Sequence, residues 1–211
     1  MSVLNKLATA LNRRDEVPNQ ELAKEITRNN DRRAVKELVE NLVNKDKNIQ
    51  SDCIKVLYEI GAREPDLIAP YYREFAGLLD SKNNRLVWGA MTALDSVAAK
   101  EPKHIHSLLP KLLDLADSGS VITRDHVVGI LVKLGAMKQY ADECVPLLIE
   151  QLMSCPNNQF PMYAEMSLPV VTDKNRKAFQ NVLTRRLEGL EKESQQKRVA
   201  KLLKQLTTKP F

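Results

Sequence analysis

The sequence predicts an all-α fold, an α-solenoid of about six antiparallel helix pairs wound as a right-handed superhelix. Three observations carry this. Two stretches, "LLDSKNNRLVWGAMTALDSVA" from Leu78 and "LADSGSVITRDHVVGILVKLG" from Leu115, are alike and lie 37 residues apart. The same 37-residue shift brings apolar residues into register along much of the chain. The composition, with seven glycines, 5% aromatic residues and few β-branched runs, weighs against a β-rich fold.

Four columns define the register. Leu57, Leu94, Leu131 and Leu168 fall in one, and Ile60, Val97, Leu134 and Val171 in a second. Ile54, Met91 and Val128 make a third, which breaks at Glu165, and Cys53, Ala90, Val127 and Ala164 make a small apolar fourth. Members of one unit stand three and four residues apart, the spacing of one buried helix stripe. A polar turn precedes each stripe: "NKDKN", "DSKNN", "DSGS", "CPNN". Before each of the last three turns comes another amphipathic helix with a proline expected near its start, Pro70, Pro110 and Pro146, where the missing N–H costs nothing. Helix–turn–helix at a fixed period of this length is the signature of a helical solenoid.

The helices are expected roughly at 3–13 with 18–28, 31–44 with 47–61, 66–80 with 83–99, 104–117 with 120–135, 139–154 with 159–169, and 175–190 with 194–207. All belong to one domain, 1–211: an N-terminal cap pair over 1–30, regular repeats over 31–172 and a basic C-terminal cap pair over 173–211. Pro161 fits a first helical turn, whereas Pro169 should end or kink its helix early.

The order proline, leucines, aspartate at the turn, a basic residue, then an alanine- and leucine-rich helix resembles the HEAT repeat of the armadillo-like α-solenoids. Pro70, Leu78, Leu79, Asp80, Arg85, Ala90, Ala93 and Leu94 carry the resemblance in one unit, and Pro110, Leu112, Leu113, Asp117, Arg124, Val127 and Leu131 in the next. It extends over about Asp31 to Leu206 and is weaker outside these two units. It implies that second helices line a concave face. Shifted in register, the polar columns of that face are Asn48, Arg85, Ile122, Gln159; Asp52, Gly89, His126, Tyr163; Lys55, Thr92, Gly129, Met166; and Glu59, Ser96, Lys133, Val170. The expected partner-binding residues are Arg85, Gly89, Thr92, His126, Gly129 and Lys133, in the two most regular repeats, with both glycines facing solvent to let a partner approach. Trp88, one residue before Gly89, is read as packing between repeats, with an exposed anchor as the alternative.

Motifs for chemistry are missing. No phosphate-cradling glycine loop, nucleophile elbow or zincin motif occurs, so no enzyme activity, cofactor or metal is expected. His104 and His106 stand two apart and point to different helix faces. "NKDKNIQSDCIK" has oxygen residues at Asn44, Asp46 and Asn48, but Ile49 and Lys55 hold the places where a calcium loop needs glycine and glutamate. Cys53, Cys144 and Cys155 form no CxxC pair and read as core thiols in a reducing cytoplasm. The start "MSVLNKLATALNRRDE" is not a secretory signal, and no stretch approaches a membrane span.

Charge is unevenly placed. Lys174 to Phe211 holds eleven Lys/Arg against three Asp/Glu, a balance of +8, while the other 173 residues balance at −3. The last helix, "SQQKRVAKLLKQL", sets Lys197, Arg198, Lys201 and Lys204 around a leucine face, a basic patch suited to an acidic partner, nucleic acid or an anionic surface. The expected function is a non-enzymatic scaffold holding a protein or peptide on the concave face. The alternative is a nucleic-acid-binding protein, related to the HEAT-like DNA glycosylases and using the basic C-terminal end. The mild, mixed charge of the concave columns suits a peptide better than a phosphate backbone. Tubulin binding by basic turns, at Lys45, Lys47, Lys82 and Arg85, is a third reading, and "DSGS" and "CPNN" break that series.

Overall fold

The structure is a computed structural model that describes residues 2–208. Among these residues every regular element is helical. The α-helices are α1 (Val17–Asn29), α2 (Arg32–Glu40), α3 (Lys47–Gly61), α4 (Tyr72–Leu78), α5 (Asn84–Val97), α6 (Pro102–Ser107), α7 (Leu109–Ser118), α8 (Val121–Gly135), α9 (Lys138–Ser154), α10 (Phe160–Met166), α11 (Arg176–Leu187) and α12 (Glu193–Thr208). The chain divides between His126 and Val127, inside α8, into two compact units.

The repeat is visible first in the helix starts. A helix's first N–H groups lack partners in their own turn, and a short polar side chain just before the helix supplies one. Asp46 Oδ1 accepts from the Asn48 N–H at 2.8 Å before α3, Asn83 Oδ1 from the Arg85 N–H at 3.1 Å before α5, and Ser120 Oγ from the Thr123 N–H at 3.4 Å before α8. These three caps stand 37 residues apart, the period of the apolar columns. α1 ends where Asn30 turns left-handed at a φ of 47°, and Asp31 then caps α2.

In the first unit α3 packs between α1 and α5, while α2 lies against α3 and α4 against α5. In the second unit α10 meets α12, α9 meets α11, α9 packs on α10 and α11 on α12. Second helices thus contact second helices in both units, and in the second unit first helices also contact first helices, as a stack of repeats requires. Leu57, Leu94 and Leu131 are wholly buried, and so are Ile60, Val97 and Leu134. Exposed ion pairs join one repeat to the next: Lys100 with Asp66 at 2.7 Å and Lys111 with Asp80 at 2.6 Å in the first unit, Lys174 with Asp142 at 2.5 Å and Arg198 with Glu165 at 2.6 Å in the second.

Prolines and competing side chains reshape four elements. The helix expected over 3–13 is a 3-10 turn, Val3–Lys6, followed by irregular turns. Beyond it the Ala8 N–H is taken by Asn19 Oδ1 and the Thr9 N–H by Asp52 Oδ2, which removes two successive amides from any helical ladder, and the chain goes on in turns. The segment expected over 66–80 opens as two 3-10 turns around Pro65 and Pro70 before α4 begins. The helix expected over 104–117 breaks at Leu108, because Pro110 has no N–H for the His106 carbonyl. Pro146 lies well inside α9, not near its start; it is exposed, so the carbonyl it leaves unbonded faces water. α10 ends at Met166, ahead of Pro169 as expected, and Leu168 therefore falls in a 3-10 turn, half-buried.

Candidate functional site

A groove of about 850 Å³ lies on the first unit. α3 contributes Asn48, Ser51, Lys55 and Tyr58; α5 contributes Arg85, Trp88 and Thr92. Shifted by 37 residues, Asn48 becomes Arg85, Ser51 becomes Trp88 and Lys55 becomes Thr92, so one stripe is presented twice. Ile122, at the start of α8 and 40% exposed, adds an apolar spot. The chain's own N-terminal segment, around Arg13 to Glu16, closes another side. A shallower pocket of about 540 Å³ near Leu11 and Val17 is bordered by side chains already paired, Lys6 with Glu25 and Lys24 with Glu21.

The N-terminal wall is tied down by two side chains expected on the concave face. Asp52 accepts from the Thr9 N–H and from Asn19 Nδ2, each at 2.8 Å, and Asn19 itself is buried. Lys55 meets Glu16 at 2.8 Å and Glu59 at 3.0 Å, and its ammonium sits 4.7 Å from the centre of the Tyr58 ring. Burial opposes the Lys55 charge, but hydrogen bonds to Glu16, Tyr58 and Glu59 outweigh it and push the ammonium's pKa up. Burial likewise works to raise the Glu59 carboxyl, and hydrogen bonds from Arg63 and Lys55 hold it below its ordinary value of 4.5.

Gly89 and Gly129 do not face solvent; both are buried. A Cβ on Gly89 would come within 2.4 Å of Ile54 Cγ1. The glycine is small because α3 lies against α5 there, so at this point the column forms the seam between the two helices and the floor of the groove, which Gly89 and Asp52 both line. Tyr163, in the same column, is fully buried. Arg85 and Thr92 do line the groove. Gly129 and Lys133 belong to the second unit, where Lys133 is half-buried. Trp88, read as packing between repeats, is half-buried and lines the groove. The missed signal was its place three residues after Arg85 and four before Thr92, at the centre of the stripe.

The pattern of the resemblance also separates here. Arg124 meets Asp117 at 3.4 Å and donates from Nε to the Ala116 carbonyl, closing the α7–α8 turn. Arg85 makes no such pair with Asp80, which bonds Lys111. The register explains it: 37 residues before Arg124 stands Val87, and Arg85 is instead the counterpart of Ile122.

His126 Nε2 lies 2.8 Å from Thr92 Oγ1, and its Nδ1 lies 3.0 Å from Asp95 Oδ2. Hydroxyl, imidazole and carboxylate stand in the order of a nucleophilic triad. Thr92 Oγ1, however, donates to the Trp88 carbonyl at 2.9 Å, and its residue sits mid-way along α5. Backbone amides there are spent within the helix, so none points at the place where an oxyanion would form. The cluster clamps α5 to the start of α8.

On α12, Val199, Leu202 and Leu206 are buried and the basic residues are exposed. Arg198 is held by Glu165, and Lys197 pairs with Glu193 at 2.7 Å, which leaves Lys201 and Lys204 as the open charges of the expected patch. Arg186, on α11, was not foreseen. It donates to the Leu152, Met153 and Cys155 carbonyls at the end of α9 and to Asn157 Oδ1, with its guanidinium over the Phe160 ring. All three cysteines are buried. Burial, reinforced by the charges of Asp52 and Glu37, pushes the Cys53 thiol up to about 12. No group of three or more His, Cys, Asp or Glu that could hold a metal occurs among the described residues, and no helix among them is long and apolar enough to cross a membrane.

Stacked helix pairs with a periodic groove define a repeat-built helical fold, and solved structures share it. An engineered protein superposes with a TM-score of 0.65 at 18% identity, covering 100% of this chain and 99% of that one. A designed armadillo repeat protein solved in complex with the peptide (KR)4 gives 0.65 at 15% identity, covering 97% of this chain and 100% of that one. A computationally designed armadillo repeat protein for modular peptide recognition gives 0.61 at 14% identity, covering 95% and 97%. The chain has the fold of an armadillo-like α-solenoid. No family model and no curated protein matches it.

Proposed function

We propose that the chain is a non-enzymatic interaction module that holds an extended segment of a partner protein in the α3–α5 groove. The observation that carries this is the repeated stripe, Asn48–Ser51–Lys55 on one helix and Arg85–Trp88–Thr92 on the next. A surface repeated along a line fits a polymer with a repeat of its own, and an extended peptide is such a polymer. The peptide complex of one structural neighbour and the stated purpose of another support the same reading. The Thr92–His126–Asp95 cluster, without oxyanion donors, gives little support to a hydrolase. The nucleic-acid alternative is weakened by the ion pairs that occupy Lys197 and Arg198.

The test is a pull-down from native extract with three forms of the chain: unchanged, Arg85→Glu, and a form with Lys197, Arg198, Lys201 and Lys204 changed to Gln. A protein captured by the first and third but lost with Arg85→Glu fits the groove reading. Capture that is lost only with the glutamine form, or that is sensitive to nuclease, overturns it.

A further inference from the structure

We infer that the groove is selective for an acidic peptide, its carboxylates met by Arg14 and Arg85 beside the Trp88 ring. The inference rests on the reading of the groove as a peptide site and adds the charge of the occupant.

The argument comes from which polar groups are already spent. Arg13 is taken by Asp15 at 2.8 Å. Lys55 is taken by Glu16 and Glu59, and both oxygens of Asp52 accept N–H bonds from the N-terminal wall. Ser51 gives its hydroxyl proton to the Lys47 carbonyl, and Thr92 gives its own to Trp88. What remains unengaged among the described residues of the groove is weighted toward donors, the side-chain amides of Asn12 and Asn48 offering both kinds. Arg14 and Arg85 are exposed and lie in no ion pair, and the hydrogen bond of Arg85 is made by its backbone N–H alone. The Trp88 indole N–H has no acceptor, and the exposed Asn48 is bonded only through its backbone. A donor-rich groove whose carboxylates are occupied calls for a ligand rich in acceptors: backbone carbonyls for Asn48 and Trp88, and side-chain carboxylates for the two guanidiniums, which bind them in a two-pronged geometry. A basic peptide would instead bring cations against unpaired cations.

A nucleic acid is also acidic and stacks on aromatic rings, but its evenly spaced phosphates need a run of Lys and Arg. Here the other two cations of the groove, Arg13 and Lys55, are already paired with Asp15 and Glu16, so only two arginines are open. Two separate guanidiniums can meet carboxylates at chosen places but offer no continuous track for a phosphate backbone.

The experiment uses the full chain and four fluorescein-labelled probes at low salt: (DE)4, (KR)4, (GS)4 and an eight-residue oligothymidylate. Binding is read by probe polarisation, and by the emission of Trp88, which as the only tryptophan reports the groove directly. The expected result is binding of (DE)4 with a change in Trp88 emission, weakened by salt. Arg14→Glu and Arg85→Glu should each lower its affinity by roughly tenfold or more, the scale of a lost charge-assisted bond, while Lys204→Glu leaves it unchanged. Both arginines are exposed, and circular dichroism checks that the variants fold. Preferential binding of (KR)4 or (GS)4 with the same emission change overturns the acidic selectivity and leaves the peptide site standing. Binding of the oligothymidylate alone overturns both in favour of nucleic acid. No binding of any probe overturns both as well.

Discussion

Gly89 of α5 packs on Ile54 of α3, so closely that an added Cβ would stand 2.4 Å from Ile54 Cγ1 and 3.1 Å from Cγ2. Ile54 is itself buried, and the atom that is met is near the root of its side chain, which cannot swing clear. In an exposed helix interior, Gly→Ala gains about 1 kcal/mol. Here the helices must part, and Gly89→Ala should lose roughly 1–3 kcal/mol. The shift of the urea midpoint gives the sign directly, and a stabilised variant would show that the seam between α3 and α5 is wrongly placed.

Arg186 closes the end of α9 from outside that helix. Its four acceptors include three main-chain carbonyls that the last turn of a helix leaves without partners. Arg186→Met keeps the length and the contact with Phe160 but removes the donors. Thermal unfolding should report a loss of roughly 1–3 kcal/mol. Amide exchange should be faster near Leu152 to Cys155, and unchanged exchange there would mean that water serves those carbonyls equally well.

The thiols give a third expectation. Burial pushes Cys53 up to about 12 and Cys144 to about 11, and Cys155 is buried as well. The reactive species is the thiolate, which at neutral pH is almost absent in Cys53 and Cys144, while Cys155 is shielded by its burial. A disulfide reagent at pH 8 should therefore label the native chain only at the rate of unfolding and label all three in urea. Prompt reaction of one equivalent without denaturant would contradict the packing of that cysteine.

Acid should act through Glu59. Its carboxyl is held below 4.5 in the folded chain, against the effect of burial, by Arg63 at 2.7 Å and Lys55 at 3.0 Å. A group whose folded value is depressed binds its proton more readily when unfolded. Its contribution is fully present above about pH 4.5 and is lost as the pH falls through the lower folded value. Glu59→Gln should thus narrow the difference in unfolding free energy between pH 7 and pH 3. An identical acid limb in the variant would assign acid sensitivity to other carboxylates.

Much of the fold is legible because a solenoid writes itself in one dimension. The columns through Leu94 and Val97 and the caps at Asp46, Asn83 and Ser120 repeat at the same interval, and each needs only local information. What failed depends on neighbours. Gly89 looks like open surface by composition, and only the approach of the adjoining helix shows that it is seam; Gly129 is likewise buried. The loss of the first helix depends on Asp52, 43 residues away, capturing the Thr9 amide. The pattern that puts Pro70 and Pro110 near helix starts does not extend to Pro146, because an exposed proline is tolerated within α9. The step from Gly89 to Trp88 points the ring toward a flank, whereas its spacing from Arg85 and Thr92 puts it on the stripe.

The side-chain bonds that link one repeat to the next, such as Lys100 with Asp66, Lys111 with Asp80 and Arg198 with Glu165, reach across 31 to 34 residues of chain. The loops that these bonds close are therefore of similar, modest length, and their entropic cost does not grow as more repeats are added. Low contact order of this kind favours rapid folding that starts at any well-formed pair and spreads to its neighbours. Pulled from its ends, such a unit yields pair by pair, as a series of small force drops in place of one large rupture.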